Sequence, residues 1–187
     1  MTDKPLISVL MGIYNCETTL AEAIDSIIAQ TYENWELILC DDGSSDGTYD
    51  VASDYARRFP DKIKLLKHEK NAGLNKTLND CLNEAKGEFI ARMDGDDISL
   101  SDRFERELST LMSDDSIAVV SCPMIYFDET GDWGRGGVGS EYPKPEMLVR
   151  GTVHCHAPCL VRADVMRAVG GYTEHKRLLR VEDWHLW

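Results

Sequence analysis

Phe89-Ile90-Ala91-Arg92-Met93-Asp94-Gly95-Asp96-Asp97 is an apolar-leaning run that ends in three carboxylates within four residues. Such a run reads as a buried strand, and the Asp-Gly-Asp after it as the loop at its carboxyl end. In an open parallel sheet, ligands sit at that end. Two carboxylates separated by one small residue can turn their oxygens toward one point. This suits a hard cation such as Mg²⁺ or Mn²⁺ that also binds phosphate oxygens. A calcium loop of the EF-hand type fits Asp94, Asp96 and Glu105 but fails at Ile98 and Ser99, where it needs an oxygen ligand and a glycine. A solvated acidic turn is the plainer alternative, and only the rest of the chain can decide against it.

Upstream, Leu6 to Met11 is almost wholly apolar, as in a strand covered on both faces, and Gly12-Ile13-Tyr14-Asn15 follows as a loop. Thr19 and Glu22 have the spacing of a capping box, before a helical stripe of Leu20, Ala23, Ile24, Ile27 and Ile28. Trp35 to Cys40 predicts a second strand, ending in the polar, glycine-punctuated loop Asp41-Asp42-Gly43-Ser44-Ser45-Asp46-Gly47-Thr48. A helix carrying Val51, Ala52, Tyr55, Ala56 and Phe59 leads to a strand from Ile63 to Leu66. After Asn71-Ala72-Gly73 comes a helix with the stripe Leu74, Leu78, Cys81, Leu82 and Ala85, closed by Gly87. Four strands alternating with three helices predict a mostly parallel sheet with helices on both faces, its ligand loops on one rim.

Past the acidic loop, Ser101 to Met112 reads as a helix with Phe104, Leu108, Leu111 and Met112 inward, and Ile117 to Cys122 as a strand. The alternation then breaks down. Met124 to Phe127, the turn at 128–132 and the glycine-rich run from Gly131 to Ser140 suggest a hairpin or flap. Short helices are expected over Pro145–Arg150 and Ala163–Val169, around a strand from Ala157 to Val161.

The length suits one domain over 1–187. With 33 acidic and 20 basic residues, the net charge of −13 argues against nucleic acid or an anionic membrane as the main partner. No segment has the length of a membrane span and the first residues have no signal-peptide apolar region, so the expected location is the cytoplasm. The six cysteines sit mostly in apolar or helical contexts, where reduced thiols act as small hydrophobes. His154-Cys155-His156-Ala157-Pro158-Cys159 lacks the second ligand pair of a structural zinc site.

Six motifs, in order, carry a family likeness: Ser8 to Asn15, Ser26 to Tyr32, Glu36 to Thr48, Asn71 to Leu74, Met93 to Asp97, and Glu182-Asp183-Trp184. Together they resemble, over essentially the whole chain, the inverting family 2 glycosyltransferases of the GT-A fold, as found in bacterial surface-polysaccharide synthesis. The resemblance implies an α/β Rossmann-like sheet with a smaller acceptor-side subregion. It implies transfer of a sugar from a nucleotide-sugar, usually a UDP-sugar, to an acceptor hydroxyl on a glycan or lipid-linked saccharide. Asp42 then accepts the uracil imide N–H and Tyr14 stacks on the base, with Asn71 and Gly73 beside the donor. Asp96 is the main ligand of Mg²⁺ or Mn²⁺, Asp94 is the ribose-side or metal-supporting member of the pair, and Asp183 is the base, assisted by Glu182. Asp41 fits a structural cap as well as a ligand, Asp97 orients the loop or caps the next helix, and His156 matches an acceptor-side position.

Two departures stand out. Gly12 replaces a common proline, and Leu78 replaces an arginine, leaving Lys76, Arg92 or a late-loop base to face the phosphates. The chain ends four residues after Asp183, where the family usually continues, so a trimmed chain that binds donor better than it transfers sugar is also expected, with peripheral membrane association open. A sugar nucleotidyltransferase would need a basic glycine-rich loop after the first strand, and residues 12–17 hold no basic residue. A receiver-like signalling domain would explain Asp41 and Asp42 but not the Asp-Gly-Asp loop.

Overall fold

The computed structural model describes residues 4–137, 155–175 and 186. A six-stranded sheet forms its centre. The strands are β1 (Ile7–Ile13), β2 (Trp35–Asp41), β3 (Ile63–Lys67), β4 (Phe89–Arg92), β5 (Val119–Val120) and, late in the chain, β8 (Leu160–Arg162), in the order β3-β2-β1-β4-β8-β5. The first four are mutually parallel, whereas β8 runs antiparallel to both β4 and β5. A separate two-stranded hairpin joins β6 (Met124–Asp128) to β7 (Gly131–Gly136).

The period-two rule explains why β1 and β2 read as continuous apolar runs. Ile7, Val9, Met11 and Ile13 point to one layer with Leu37 and Leu39, while Leu10, Ile38, Cys40 and Ile90 point to the other. The first layer is roofed by α1 (Leu20–Ile28), α2 (Thr48–Arg58) and α4 (Arg103–Ser113), which contribute Ile24, Ile27, Ala52, Tyr55, Phe104 and Leu111. The second is roofed by α3 (Leu74–Glu84) and α5 (Ala163–Ala168), through Leu78, Leu82 and Met166. The expected two-sided α/β sheet is thus present. Among the described residues, no helix is long and apolar enough to cross a membrane.

Several local expectations are corrected. No capping box closes α1, because Thr19 has helical backbone angles and makes no cap bond. Its hydroxyl instead donates to the carbonyl of Gly95 at 2.9 Å. Asp102, not Asp97, stands at the start of α4. Met112 is 57% exposed, on the outer side of that helix. Only Val119 and Val120 of the expected fifth strand pair, and the late strand begins at Leu160 because residues 157–158 form a turn. The helix expected over Pro145–Arg150 lies outside the described residues, as do Glu182 and Asp183.

Candidate functional site

The carboxyl ends of β1, β2 and β4 release three loops on one rim, and hydrogen bonds stitch them together. Asn15 donates its N–H to Ser44 Oγ (3.1 Å), and its Oδ1 accepts from the Ser45 N–H (2.9 Å). The Cys16 N–H donates to Thr48 Oγ1 at 2.8 Å, and the Gly47 N–H to Glu17 Oε2 at 2.5 Å. Thr19 ties this pair of loops to Gly95 in the third. The small residue between Asp94 and Asp96 is a steric requirement: a Cβ at Gly95 would stand 2.9 Å from Cys16 Sγ and 3.1 Å from Ile13 Cγ2. Gly95→Ala is therefore expected to lower the unfolding free energy by about 1–3 kcal/mol through overpacking. Denaturant unfolding checks this, and an unchanged midpoint would show that the rim yields freely.

Asp42, 4% exposed, anchors the second loop to the start of α3. Its Oδ1 accepts from the Ala72 N–H (2.8 Å) and pairs with His68 Nδ1 (2.7 Å), while Oδ2 accepts from the Gly73 N–H (2.8 Å). A carboxylate has about four acceptor directions, so one on Oδ2 remains beyond these contacts. Gly73 holds the turn at φ +95°, a backbone region that side chains disfavour. A cavity of about 250 Å³ opens beside it, lined by Tyr14, Asp42, Asn71, Gly73 and Leu74 among others. Tyr14 is 49% exposed at its mouth. Gly12 also lines it, and a Cβ there would meet Leu74 Cδ1 at 3.0 Å and Thr77 Cγ2 at 3.1 Å, so the missing side chain lets α3 approach the end of β1. Asp41 is fully buried, and its Oδ1 accepts the Ser44 N–H at 3.3 Å within the loop.

Sequence reasoning missed His68. Its ring lies between Asp42 and Asp80, with Nε2 2.9 Å from Asp80 Oδ2, and Lys76 pairs with Asp80 from the far side. Burial opposes protonation of the ring, but the hydrogen bonds to Asp42 and Asp80 outweigh it and raise the pKa above the usual histidine value. A raised folded-state pKa stabilises the fold fully below about pH 6.5, the unfolded value, and this contribution is lost as pH rises through the folded value. Thermal unfolding of wild type and His68→Ala between pH 5.5 and 8.5 is expected to show the largest gap at the acid end. A gap independent of pH would mean that His68 is not charged in the fold.

At the third loop, Asp96 is exposed, while Asp94 pairs with the buried Arg92. Asp97 has its pKa raised, first by burial and then by the neighbouring charges of Asp94 and Asp96. Arg103, also missed, braces the strand end from α4: its Nη2 donates to the Arg92 carbonyl at 3.1 Å and its Nη1 lies 3.5 Å from Met93 Sδ. Its partner Glu107 is buried too, which lifts that carboxyl to about 7 despite the Arg103 charge. Of the cations expected to face phosphate, Lys76 is engaged by Asp80 and Arg92 by Asp94, and Leu78 is fully buried in the core. His156 lies in the turn before β8, its ring edge-on to Tyr172 at 5.6 Å.

Among the described residues, no group of three or more acidic, histidine or cysteine side chains forms a closed metal cage. The donor set nevertheless fits a divalent ion of the Mg²⁺ or Mn²⁺ type, which commonly takes one or two carboxylates and completes its shell with water and phosphate oxygens. Asp94 and Asp96 act on Asp97 as like charges, second to its burial, so positive charge added beside them would be stabilising.

This layout, a Rossmann-like sheet with an acidic rim, is that of the GT-A glycosyltransferases. Over 99% of the chain it is similar to the mannosyltransferase PcManGT of Pyrobaculum calidifontis, solved with GDP-Man and Mn²⁺ (TM-score 0.75, 21% identity, 51% of that chain). It is also similar, over 96%, to TarS of S. aureus solved with UDP (TM-score 0.74, 20% identity, 53% of that chain). Residues 8–169 match the family described as glycosyl transferase family 2, and the chain belongs to that family. The protein EpsE of Bacillus subtilis is 46% identical over 187 residues, all of this chain and 67% of EpsE. WfgD of Escherichia coli, a UDP-Glc:alpha-D-GlcNAc-diphosphoundecaprenol beta-1,3-glucosyltransferase, is 39% identical over 110 residues, 59% of this chain and 42% of WfgD. The chain thus spans about half the length of those solved structures.

Proposed function

We propose that the chain transfers a sugar, with inversion, from a UDP-sugar to a hydroxyl of a glycan or lipid-linked acceptor, on the cytoplasmic side of surface-polysaccharide assembly. The observation that carries this reading is the Asp42 clamp: one buried carboxylate fixes the 71–73 turn and keeps a free acceptor direction beside a cavity flanked by Tyr14. In this reading Asp42 takes the uracil imide N–H, Tyr14 stacks on the base, and Asn71 and Gly73 border the ribose and phosphates. The name of WfgD, with its UDP-Glc, supports uridine, whereas PcManGT is solved with GDP-Man. Asp96 and Asp94 would hold Mg²⁺ or Mn²⁺, whose charge, when bound, stabilises the leaving diphosphate. Asp183, assigned on the family likeness, takes the proton of the acceptor hydroxyl from the face opposite the leaving group. Residues 1–97 then serve the donor and 98–187 the acceptor, within one domain.

Calorimetric titration of UDP and of GDP, each with Mn²⁺ and with EDTA, tests the reading. Metal-dependent binding of UDP in preference to GDP is expected. Binding of neither nucleotide in either condition would overturn it.

A further inference from the structure

We propose that the β6–β7 hairpin is a sugar-stacking platform, with Tyr126 and Trp133 receiving the saccharide of the acceptor. The proposal rests on the glycosyl-transfer reading and adds the residues that choose the acceptor. The two rings stack on each other, with centroids 5.2 Å apart and planes 19° apart. They stay open to solvent all the same, Trp133 by 65% and Tyr126 by 39%. Exposed aromatic rings of this size are costly to leave in water and mark contact surfaces.

The hairpin is shaped to lay the Tyr126 ring flat. Register places Tyr126 opposite Gly134 and Met124 opposite Gly136. A Cβ on Gly136 would fall 2.5 Å from Tyr126 Oη and 3.0 Å from Cζ, and one on Gly134 would fall 3.3 Å from Cδ2. The glycines clear β7 of side chains along the path of the ring. This accounts for a glycine-rich strand whose composition otherwise weakens it.

Tyr126 and Trp133 line a groove of about 290 Å³ that Thr19, Glu22, Asp96 and Asp97 also line. Aromatic rings and carboxylates lining one groove match a sugar, which presents C–H surfaces and hydroxyl donors on the same small ring. A bilayer does not match. Anionic headgroups would meet Glu22, Asp96 and Asp97 on a chain of net charge −13, and acyl chains would desolvate those carboxylates. Because Asp96 lines the same groove, a saccharide on the rings lies near the loop assigned to the donor's metal.

Saturation-transfer NMR of the full chain with UDP, Mg²⁺ and a panel of mono- and disaccharide methyl glycosides tests the platform. Ring C–H protons of at least one glycoside are expected to saturate. Trp133→Ala should cut that signal about tenfold, Trp133→Phe should restore most of it, and Gly136→Ala should lower it by displacing Tyr126. UDP affinity should be the same in all three variants. The platform is overturned if no glycoside saturates, if Trp133→Ala leaves the signal intact, or if Trp133 supports binding to phosphatidylglycerol vesicles in place of glycosides. Loss of UDP binding with glycoside saturation intact would overturn the donor reading and keep the platform. Retained UDP binding without saturation would do the reverse.

Discussion

Asp96→Ala is expected to reduce sugar transfer by at least about a hundredfold and to bring UDP affinity in Mn²⁺ down to its value in EDTA. Removal of one preorganised electrostatic contact to a developing charge typically costs two to three orders of magnitude, and Asp96 is assigned as the main contact to the cation. Asp96 is exposed, so the variant should fold with an unchanged melting temperature. Asp94→Ala makes the useful contrast. It strips the buried Arg92 of its carboxylate partner, so it should lose stability as well as metal response. Calorimetry and thermal unfolding on the two variants separate the roles. Metal-dependent UDP binding that survives Asp96→Ala would place the cation elsewhere.

The second large effect is expected at Asp42. Replacement by alanine leaves the Ala72 and Gly73 N–H groups without their acceptor and His68 without one of its two carboxylates. Hydrogen bonds to charged groups contribute about 1.5–3 kcal/mol each, so a loss of about 2–4 kcal/mol in unfolding free energy is expected after partial relaxation. UDP binding should fall below detection, because the turn that frames the cavity and the base contact go together. Binding of Mn²⁺-pyrophosphate, which has no base, should persist in Asp42→Ala and vanish in Asp96→Ala. If Asp42→Ala binds UDP as wild type does while its stability falls, Asp42 is a structural clamp and the base is read by other groups.

Much of this arrangement is legible in the chain, and what is not has physical causes. The runs Leu6–Met11 and Trp35–Cys40 announce a sheet buried on both faces, because parallel strands roofed on both sides have no polar alternation. The Gly-punctuated loops after them show where the rim lies. Thr19 reads as a cap only while its neighbours in sequence are considered; the Gly95 carbonyl, brought close by the sheet, becomes its partner instead. Arg103 and Glu107 look like a surface pair at helical spacing, yet tertiary packing buries both and turns Arg103 toward the end of β4. His68 carries no local signal, since its two carboxylates come from the end of β2 and the middle of α3. In each case the deciding partner is far away in sequence.

The reversed strand β8 has a consequence for how such a chain can diversify. Because β8 runs against β4, with Ala91 beside Leu160 and Phe89 beside Arg162, the residues that enter it arrive at the same rim as those that leave β4. β5 also runs against β8, with Val120 beside Leu160, so the excursion from β5 to β8 departs from and returns to that one rim, whereas β4 reaches the parallel β5 by a crossover through α4. Mutations that lengthen, shorten or recolour that excursion leave the hydrogen-bond ladder of β1, β2 and β4 in place. Under the proposed reading, a lineage can thus exchange the saccharide it decorates in small steps while inheriting its activated sugar unchanged.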